Sequence, residues 1–334
     1  MMRAERSLRF AGFALLLGLL VLTVGLSLTV GARAVPWDEV WAGLLGQIDS
    51  IGSAAVAVRV PRTVLAVLAG GALGLAGAVM QGISRNPLAD PGILGVNAGA
   101  ALFVVIGIAW FDISGAQNFL WLGIAGAGLT AVFVYLVGAT GQGGATPLKL
   151  TLAGTATSVA VSAFIIAVVL PRNDIAGSVQ SWQVGGVGGA RFDTLLPAVP
   201  FAVVGLLLSL ASARVLNALA LGEELATGLG QSVALGRLMA AAGAVVLCGT
   251  ATALCGPIGF VGLVVPHLCR MIAGVDYKLV LPLSALAGAS MLGLSDVLGR
   301  VIARPNELDV GIVTAFVGAP FFIWTVRNNR MRGL

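Results

Sequence analysis

The side chains that most often perform chemistry are scarce in this chain and concentrate in one stretch. His267 is the only histidine, and it lies in GPIGFVGLVVPHLCR, residues 256–270, beside Cys269. Cys248 and Cys255 add no CxxC pair and stand in apolar surroundings, so a zinc site or a disulfide framework is not expected. Buried, unreactive thiols are the simpler interpretation. The task of the lone histidine stays open at this point.

Motifs for nucleotide or peptide hydrolysis are absent from the sequence. A Walker A phosphate loop needs GxxxxGK[ST], but neither Lys149 nor Lys278 follows a glycine. HExxH and GxSxG are missing as well. We therefore expect no catalytic residue, no bound metal and no cofactor, and we do not expect the chain to be an enzyme.

Arginines form the second candidate site. Arg59 and Arg62 lie three residues apart in VRVPRT, and Arg300 follows SDVLG. They either anchor helix ends by extending their charged groups to water, or they form a basic patch that receives an acidic partner. Asp296 precedes Arg300 by one helical turn, where the two side chains can meet.

The composition requires that membrane helices position these residues. Of 334 residues, 58% are hydrophobic and only 10% are charged, whereas a soluble protein has about 25% charged residues. The 47 glycines suit helices that pack closely in lipid. We interpret residues 1–334 as a single transmembrane domain with lipid as its main solvent.

Charged residues divide the chain into uncharged runs, most of them long enough to cross a bilayer. The first run is too long for a signal-peptide core, so we expect a retained helix. The run 113–148 ends in the glycine-rich GATGQGGATP and contributes one helix. The runs are 10–32, 63–84, 92–111, 113–148, 150–171, 194–213, 238–269, 279–295 and 310–326.

The charged ends of the chain set the number of crossings. Arginines stand at positions 3, 6 and 9 before the first run, and at 327, 330 and 332 after the last. Under the positive-inside rule both termini then face the cytoplasm, which requires an even number of crossings. The nine runs are an odd number, so one of them must contain two helices. Because Gly256-Pro257 interrupts the run 238–269, we assign two helices to it. The prediction is an all-α polytopic membrane protein with ten transmembrane helices.

The longest cytoplasmic loop in this topology is RVLNALALGEELATGLGQSVALGR, residues 214–237. Its helix-forming residues are divided by Gly222, Gly228 and Gly230, which favours two short helices joined by a sharp turn. Glu223 would then face the cytoplasm. The loop is either a solvated connector or a docking lever for a cytoplasmic partner.

Four segments of the chain carry a resemblance to a known family. They are RVPRTVLAVLAGGALGLAGAVMQGISRNPLADPGILGVNAGA, LALGEELATGLG, GPIGFVGLVVPHLCR and GIVTAFVGAPFFIW. From about residue 35 onward the chain resembles the FecCD-type permease subunits of ATP-binding-cassette (ABC) importers for ferric siderophores, haem and cobalamin. The resemblance implies the type II importer permease fold of ten helices per subunit.

The same resemblance implies partners and roles. Two ATP-binding subunits would lie on the cytoplasmic side, an extracytoplasmic solute-binding protein on the other, and a second permease subunit, identical or paralogous, would complete a dimer. Arg59, Arg62 and Arg300 match the family arginines that receive glutamates of the binding protein. The residues matched to ATPase coupling are Leu221, Gly222, Glu223, Leu229, Gly230, Pro266, His267 and Arg270.

The resemblance also answers the question of His267, which becomes a structural or coupling residue of a short eighth helix. The expected function is import of intact ferric-siderophore complexes across a bacterial plasma (inner) membrane. No nucleic-acid partner is expected. Haem or cobalamin import is the alternative. A further alternative is an ion-coupled secondary carrier that uses Asp296. Asp309 departs from the family, which often has proline there, and we expect a solvated acid.

Overall fold

The structure is a computed structural model, and the residues that it describes are helical, turn or irregular, without a strand. It describes the backbone of residues 2–31, 34–113, 115–140, 146–228, 230 and 232–328. Parts of three expectations lie outside these residues: the glycine-rich stretch 141–145, Leu229, and the C-terminal Arg330 and Arg332.

Fifteen α-helices occur in the described residues, with short 3₁₀ segments at Pro91–Leu94 and Leu196–Ala198. The helices are α1 (Met2–Thr29), α2 (Trp37–Leu44), α3 (Ile51–Ser84), α4 (Val96–Phe111), α5 (Ala116–Ala139), α6 (Pro147–Val169), α7 (Asn173–Val184), α8 (Phe192–Leu195), α9 (Val199–Ala211), α10 (Ala213–Ala220), α11 (Glu223–Gly228), α12 (Val233–Cys255), α13 (Val261–Ala273), α14 (Tyr277–Ile302) and α15 (Val310–Asn328).

The all-α fold is confirmed, and its apolar helices agree in number with the ten expected crossings. Among the described residues, 7 helical segments are long and apolar enough to span a membrane, and α4, α13 and most of α15 are shorter apolar helices that complete the set of ten. The run 238–269 does contain two helices. α12 ends at Cys255 because Gly256 adopts a φ of +73°, a left-handed conformation that glycine accepts readily.

One boundary differs from the sequence expectation. The second spanning helix, α3, begins at Ile51 and not near residue 63, so Arg59 and Arg62 lie within it. A capping box starts it, in which Ser53 N–H donates to Ser50 Oγ at 3.0 Å. The charge-based boundary failed because protein groups, described below, bind both guanidinium groups inside the structure.

α3 is the central helix. In its membrane-spanning stretch 78% of the residues are buried, compared with 22% in that of α1 at the periphery. It packs against α12, α13 and α14. A Cβ added to Gly70 would lie 2.4 Å from the Gly288 carbonyl oxygen, and one on Gly77 would lie 2.0 Å from that of Gly262. The backbones therefore touch, as the glycine content led us to expect.

The loop expected to hold two short helices does so. α10 and α11 are joined by a turn at Leu221 and Gly222, where Gly222 has a φ of +116°. Few L side chains adopt this conformation, which explains the glycine at the turn.

Candidate functional site

The predicted arginines and Asp296 form one ion cluster between α3 and α14. Arg62 donates from Nε and Nη2 to Asp296 Oδ1, at 3.0 and 2.8 Å. Arg300 Nη2 lies 2.9 Å from the other carboxylate oxygen of Asp296, as the spacing of one turn predicted. Asp296 thus serves as the common counter-ion of two arginines, and its side chain is only 1% exposed.

The end of α1 completes the cluster from the other side. Arg59 Nη1 donates to the Leu28 carbonyl at 2.9 Å. Arg300 donates to the Ser27 carbonyl at 2.9 Å and to Ser27 Oγ at 2.8 Å. Carbonyls in the last turn of a helix have no partner within that helix and carry its partial negative charge. The C-terminus of α1 therefore binds both guanidinium groups.

Glu307 is a member of this cluster that the sequence reasoning missed. Its Oε2 lies 2.6 Å from Arg62 Nη1, and its side chain is 40% exposed. Arg62 and Glu307 are 245 residues apart in sequence, so no local spacing indicates the pair. The only available signal was an acid in the loop after α14, near an arginine already singled out.

Burial argues against the interpretation of Arg300 as a helix-end anchor that reaches water. The Arg300 side chain is 1% exposed and ends on protein groups, so it does not extend its charge to water. Arg62 is 12% exposed and faces the partly exposed Glu307. The geometry brings Arg59, Arg62 and Arg300 together, which a shared docking site requires.

The predicted coupling residues of the loop 214–237 lie around α11. Glu223 Oε2 pairs with Arg237 Nη2 at 3.1 Å, which ties the start of α11 to α12. Leu221 at the turn is 62% exposed. Gly230 follows α11 with a φ of +77°, and Leu229 lies outside the described residues.

The other three predicted coupling residues lie in α13. Pro266 is buried within the helix, and the His267 ring packs edge-on against Phe321 at a centroid distance of 6.1 Å. Arg270 donates to the side-chain oxygen of Gln81 in α3. The His267 ring therefore lies at the contact between α13 and α15.

Asn217 and Asp276 form a connection that sequence reasoning did not identify. Asn217 in α10 donates to Asp276 Oδ1 at 2.7 Å and accepts from Tyr277 N–H at 2.8 Å. The pair fastens α10 to the start of α14. The same helix carries Asp296 and Arg300 near its other end, so α14 links the loop 214–237 to the arginine cluster.

The thiols and acids do not form a metal site in the part of the chain that the structure describes. No group of three or more His, Cys, Asp or Glu side chains stands close enough there to hold a metal ion. The free thiols of Cys248, Cys255 and Cys269 are all buried.

Comparison with known proteins places this geometry in a family. The chain matches the FecCD transport family over residues 19–328. It is 42% identical to the ferric enterobactin transport system permease protein FepD of Escherichia coli, over 95% of both chains. It is 38% identical to the iron(3+)-hydroxamate import system permease protein FhuB of Bacillus subtilis, covering 97% of this chain and 85% of that one.

Two further comparisons extend this likeness. The hemin transport system permease protein HmuU of Yersinia pestis is 36% identical over 96% of this chain and 95% of its own. A solved structure of a metal-chelate type ABC transporter, in an inward-facing conformation, superposes with a TM-score of 0.82 at 29% identity, covering 97% of this chain and 99% of that one. This chain belongs to the FecCD transport family, whose members are multi-pass permease subunits of bacterial ABC transporters and not themselves enzymes.

Proposed function

We propose that this chain is the membrane-spanning subunit of an ATP-driven importer that moves intact ferric-siderophore complexes into the cytoplasm. The observation that carries the substrate class is the 42% identity to a ferric enterobactin permease over 95% of both chains. The hydroxamate relative, at 38% identity, supports the same class. The subunit itself makes and breaks no covalent bond.

On the outer side, the arginine cluster receives the loaded solute-binding protein. Both termini are cytoplasmic in this proposal, which places the end of α1 and the start of α3 outside. Arg59, Arg62 and Arg300 supply the positive charge, and acidic side chains of the binding protein supply the complement. Their convergence on one site at the end of α1 supports this role.

On the cytoplasmic side, two ATP-binding subunits engage the loop 214–237, and a second permease subunit completes the pathway. Leu221 and Leu225 are 62% and 61% exposed although their loop lies outside the spanning helices. Exposed apolar side chains in such a place favour contact with a protein partner. ATP hydrolysis by the partners would move α10 and α11, and Asn217 would pass that motion to α14.

The alternatives have less support. Haem import has a relative at 36% identity, below the 42% and 38% identity of the enterobactin and hydroxamate relatives described above. An ion-coupled carrier would require Asp296 to bind and release its ion during transport. Two arginines hold that carboxylate at 2.8 and 2.9 Å, which favours a fixed structural charge.

Uptake measurements test the proposal. A strain lacking this chain and the same strain complemented with it would receive labelled ferric enterobactin, a ferric hydroxamate, haem and cobalamin in parallel. Selective loss of a ferric siderophore, restored by complementation, is the expected result. Selective loss of haem or cobalamin would overturn the substrate class. Uptake by the purified chain alone in liposomes, driven by an ion gradient, would overturn the importer mechanism.

A further inference from the structure

We propose that Glu307 forms an internal ion pair with Arg62, and that an acidic side chain of the binding protein must displace Glu307 in order to dock. This inference rests on the proposed docking function and adds a residue that controls it. Glu307 Oε2 lies 2.6 Å from Arg62 Nη1, on the side of the guanidinium group that Asp296 does not use.

The two acids that bind Arg62 differ in burial. Asp296 accepts from Nε and Nη2, is 1% exposed and also pairs with Arg300, so it is part of the packed structure. Glu307 accepts only from the remaining Nη1 and is 40% exposed. A guanidinium group can bind one carboxylate along one edge and exchange another at its other end. Glu307 is therefore the replaceable acid of the pair.

The backbone around Glu307 is fixed, so its side chain can leave without a large movement of the loop. Leu308 N–H donates to the Gly299 carbonyl of α14 at 3.1 Å. Arg304, at the start of the same loop, donates to the Gly31 carbonyl. A side-chain rotation of Glu307 toward water would break its contact with Arg62 Nη1, and an ion pair with an exposed member is only weakly stabilising.

A neighbouring glycine segment lies beside Arg62. A Cβ on Gly188 would stand 3.8 Å from Arg62 Nη1, and one on Gly189 would meet nothing within 4 Å. Gly188 therefore places no side chain against the nitrogen that Glu307 contacts. The positive charge of Arg62 at this point would attract a carboxylate on the surface of an extracytoplasmic protein.

The internal acid lowers the affinity that the arginines can offer. Three arginines with Asp296 and Glu307 have one positive charge in excess, and loss of Glu307 would leave two. With Glu307 present, an incoming carboxylate gains only the difference in free energy between its own ion pair with Arg62 and the Glu307–Arg62 ion pair that it replaces. We infer that Glu307 keeps docking reversible and limits it to partners with an acid at this point.

The first experiment measures how strongly Glu307 shields Arg62 when no binding protein is present. The complete importer, with its ATP-binding and permease subunits, is placed in nanodiscs and treated with p-hydroxyphenylglyoxal, which modifies accessible arginines. Mass spectrometry then follows the modification of Arg62. Glu307→Gln should increase its rate, whereas Asp193→Asn, a change of an exposed acid paired with Arg191, should not. An unchanged rate of Arg62 modification in Glu307→Gln would show that Glu307 does not shield Arg62 and would overturn the proposal.

The second experiment measures affinity for the siderophore-loaded binding protein of the same importer. Glu307→Gln should bind it about two- to fivefold more tightly than the wild type, while Asp193→Asn should match the wild type. Equal or weaker binding in Glu307→Gln would overturn the displacement proposal. If the wild type itself does not bind the protein, the docking function fails, and the displacement proposal with it. If docking holds but ferric siderophores are not taken up, only the substrate class fails.

Discussion

Arg62 and Asp296 are joined by an ion pair of 2.8 Å, although 234 residues separate them in sequence. The pair connects α3, the most buried of the central helices, to α14. Arg300 shares the same carboxylate at 2.9 Å. One buried acid therefore holds two of the three arginines that the docking proposal requires.

Asp296→Asn should strongly destabilise the protein, because it leaves two largely buried guanidinium groups without their shared counter-ion. Removing one partner of a buried ion pair costs roughly 3–5 kcal/mol. The measurement is the thermal unfolding temperature of the purified protein in detergent. Asp174→Asn is the control: Asp174 is 61% exposed and pairs with Arg172, whose hydrogen bond lowers the pKa of Asp174. Equal stability of both variants would contradict the counter-ion role.

Reversing charge at both Arg59 and Arg62 should weaken affinity for the binding protein by about tenfold or more, which corresponds to ~1.4 kcal/mol. The reason is the loss of charge complementarity at the docking site. Binding to the importer in nanodiscs measures it, with Arg62→Gln as a milder variant should the double reversal not fold. Arg191→Glu, a change of a 75% exposed arginine, is the control. Unchanged affinity in the folded variants would refute the docking assignment.

Glu223→Gln should lower the amount of substrate imported per ATP hydrolysed severalfold, because it removes the charge that pairs with Arg237 at 3.1 Å and orients α11. Transport and ATPase activity would be measured in the same proteoliposomes. The neighbouring Glu224→Gln is the matched control for charge. Normal coupling in Glu223→Gln would count against its assigned role.

Asn217→Ala should uncouple ATP hydrolysis from transport, because it removes both hydrogen bonds that fasten α10 to the start of α14. Leaving Asp276 and Tyr277 N–H without these bonds should also cost about 1–3 kcal/mol of stability. The transport-to-ATPase ratio and the unfolding temperature separate the two effects. Thr227→Ala removes a bond within α11 only and should preserve coupling. A lower unfolding temperature with unchanged coupling would assign Asn217 a purely structural role.

Gly77→Ala should lower the unfolding temperature markedly, because its Cβ would lie 2.0 Å from the Gly262 carbonyl oxygen and force α3 away from α13. Gly18→Ala in α1 meets nothing within 4 Å, and alanine favours a helix over glycine. It should leave the temperature equal or raise it. A similar effect of both changes would show that α3 and α13 do not pack closely.

Much of the fold was predictable because membrane crossings depend on local composition. Ten apolar segments, the break at Gly256 and the paired helices of the loop 214–237 follow from runs of residues and from glycine conformation. The start of α3 was predicted wrongly for a related reason. Charge was taken as a boundary, although the partners of Arg59 and Arg62 lie on helices that are distant in sequence.

The sequence by itself determined that this is an all-α membrane protein with ten apolar segments, without a nucleotide-hydrolysis motif, in which Arg300 and Asp296 share a helix face. Tertiary structure alone decided that Arg62 joins that pair, that Glu307 forms an ion pair with Arg62, and that Asn217 binds the start of α14. The physical reason is the range of the interactions. Hydropathy and helical periodicity act over one or a few turns, whereas an ion pair or hydrogen bond between helices depends on which helices become neighbours.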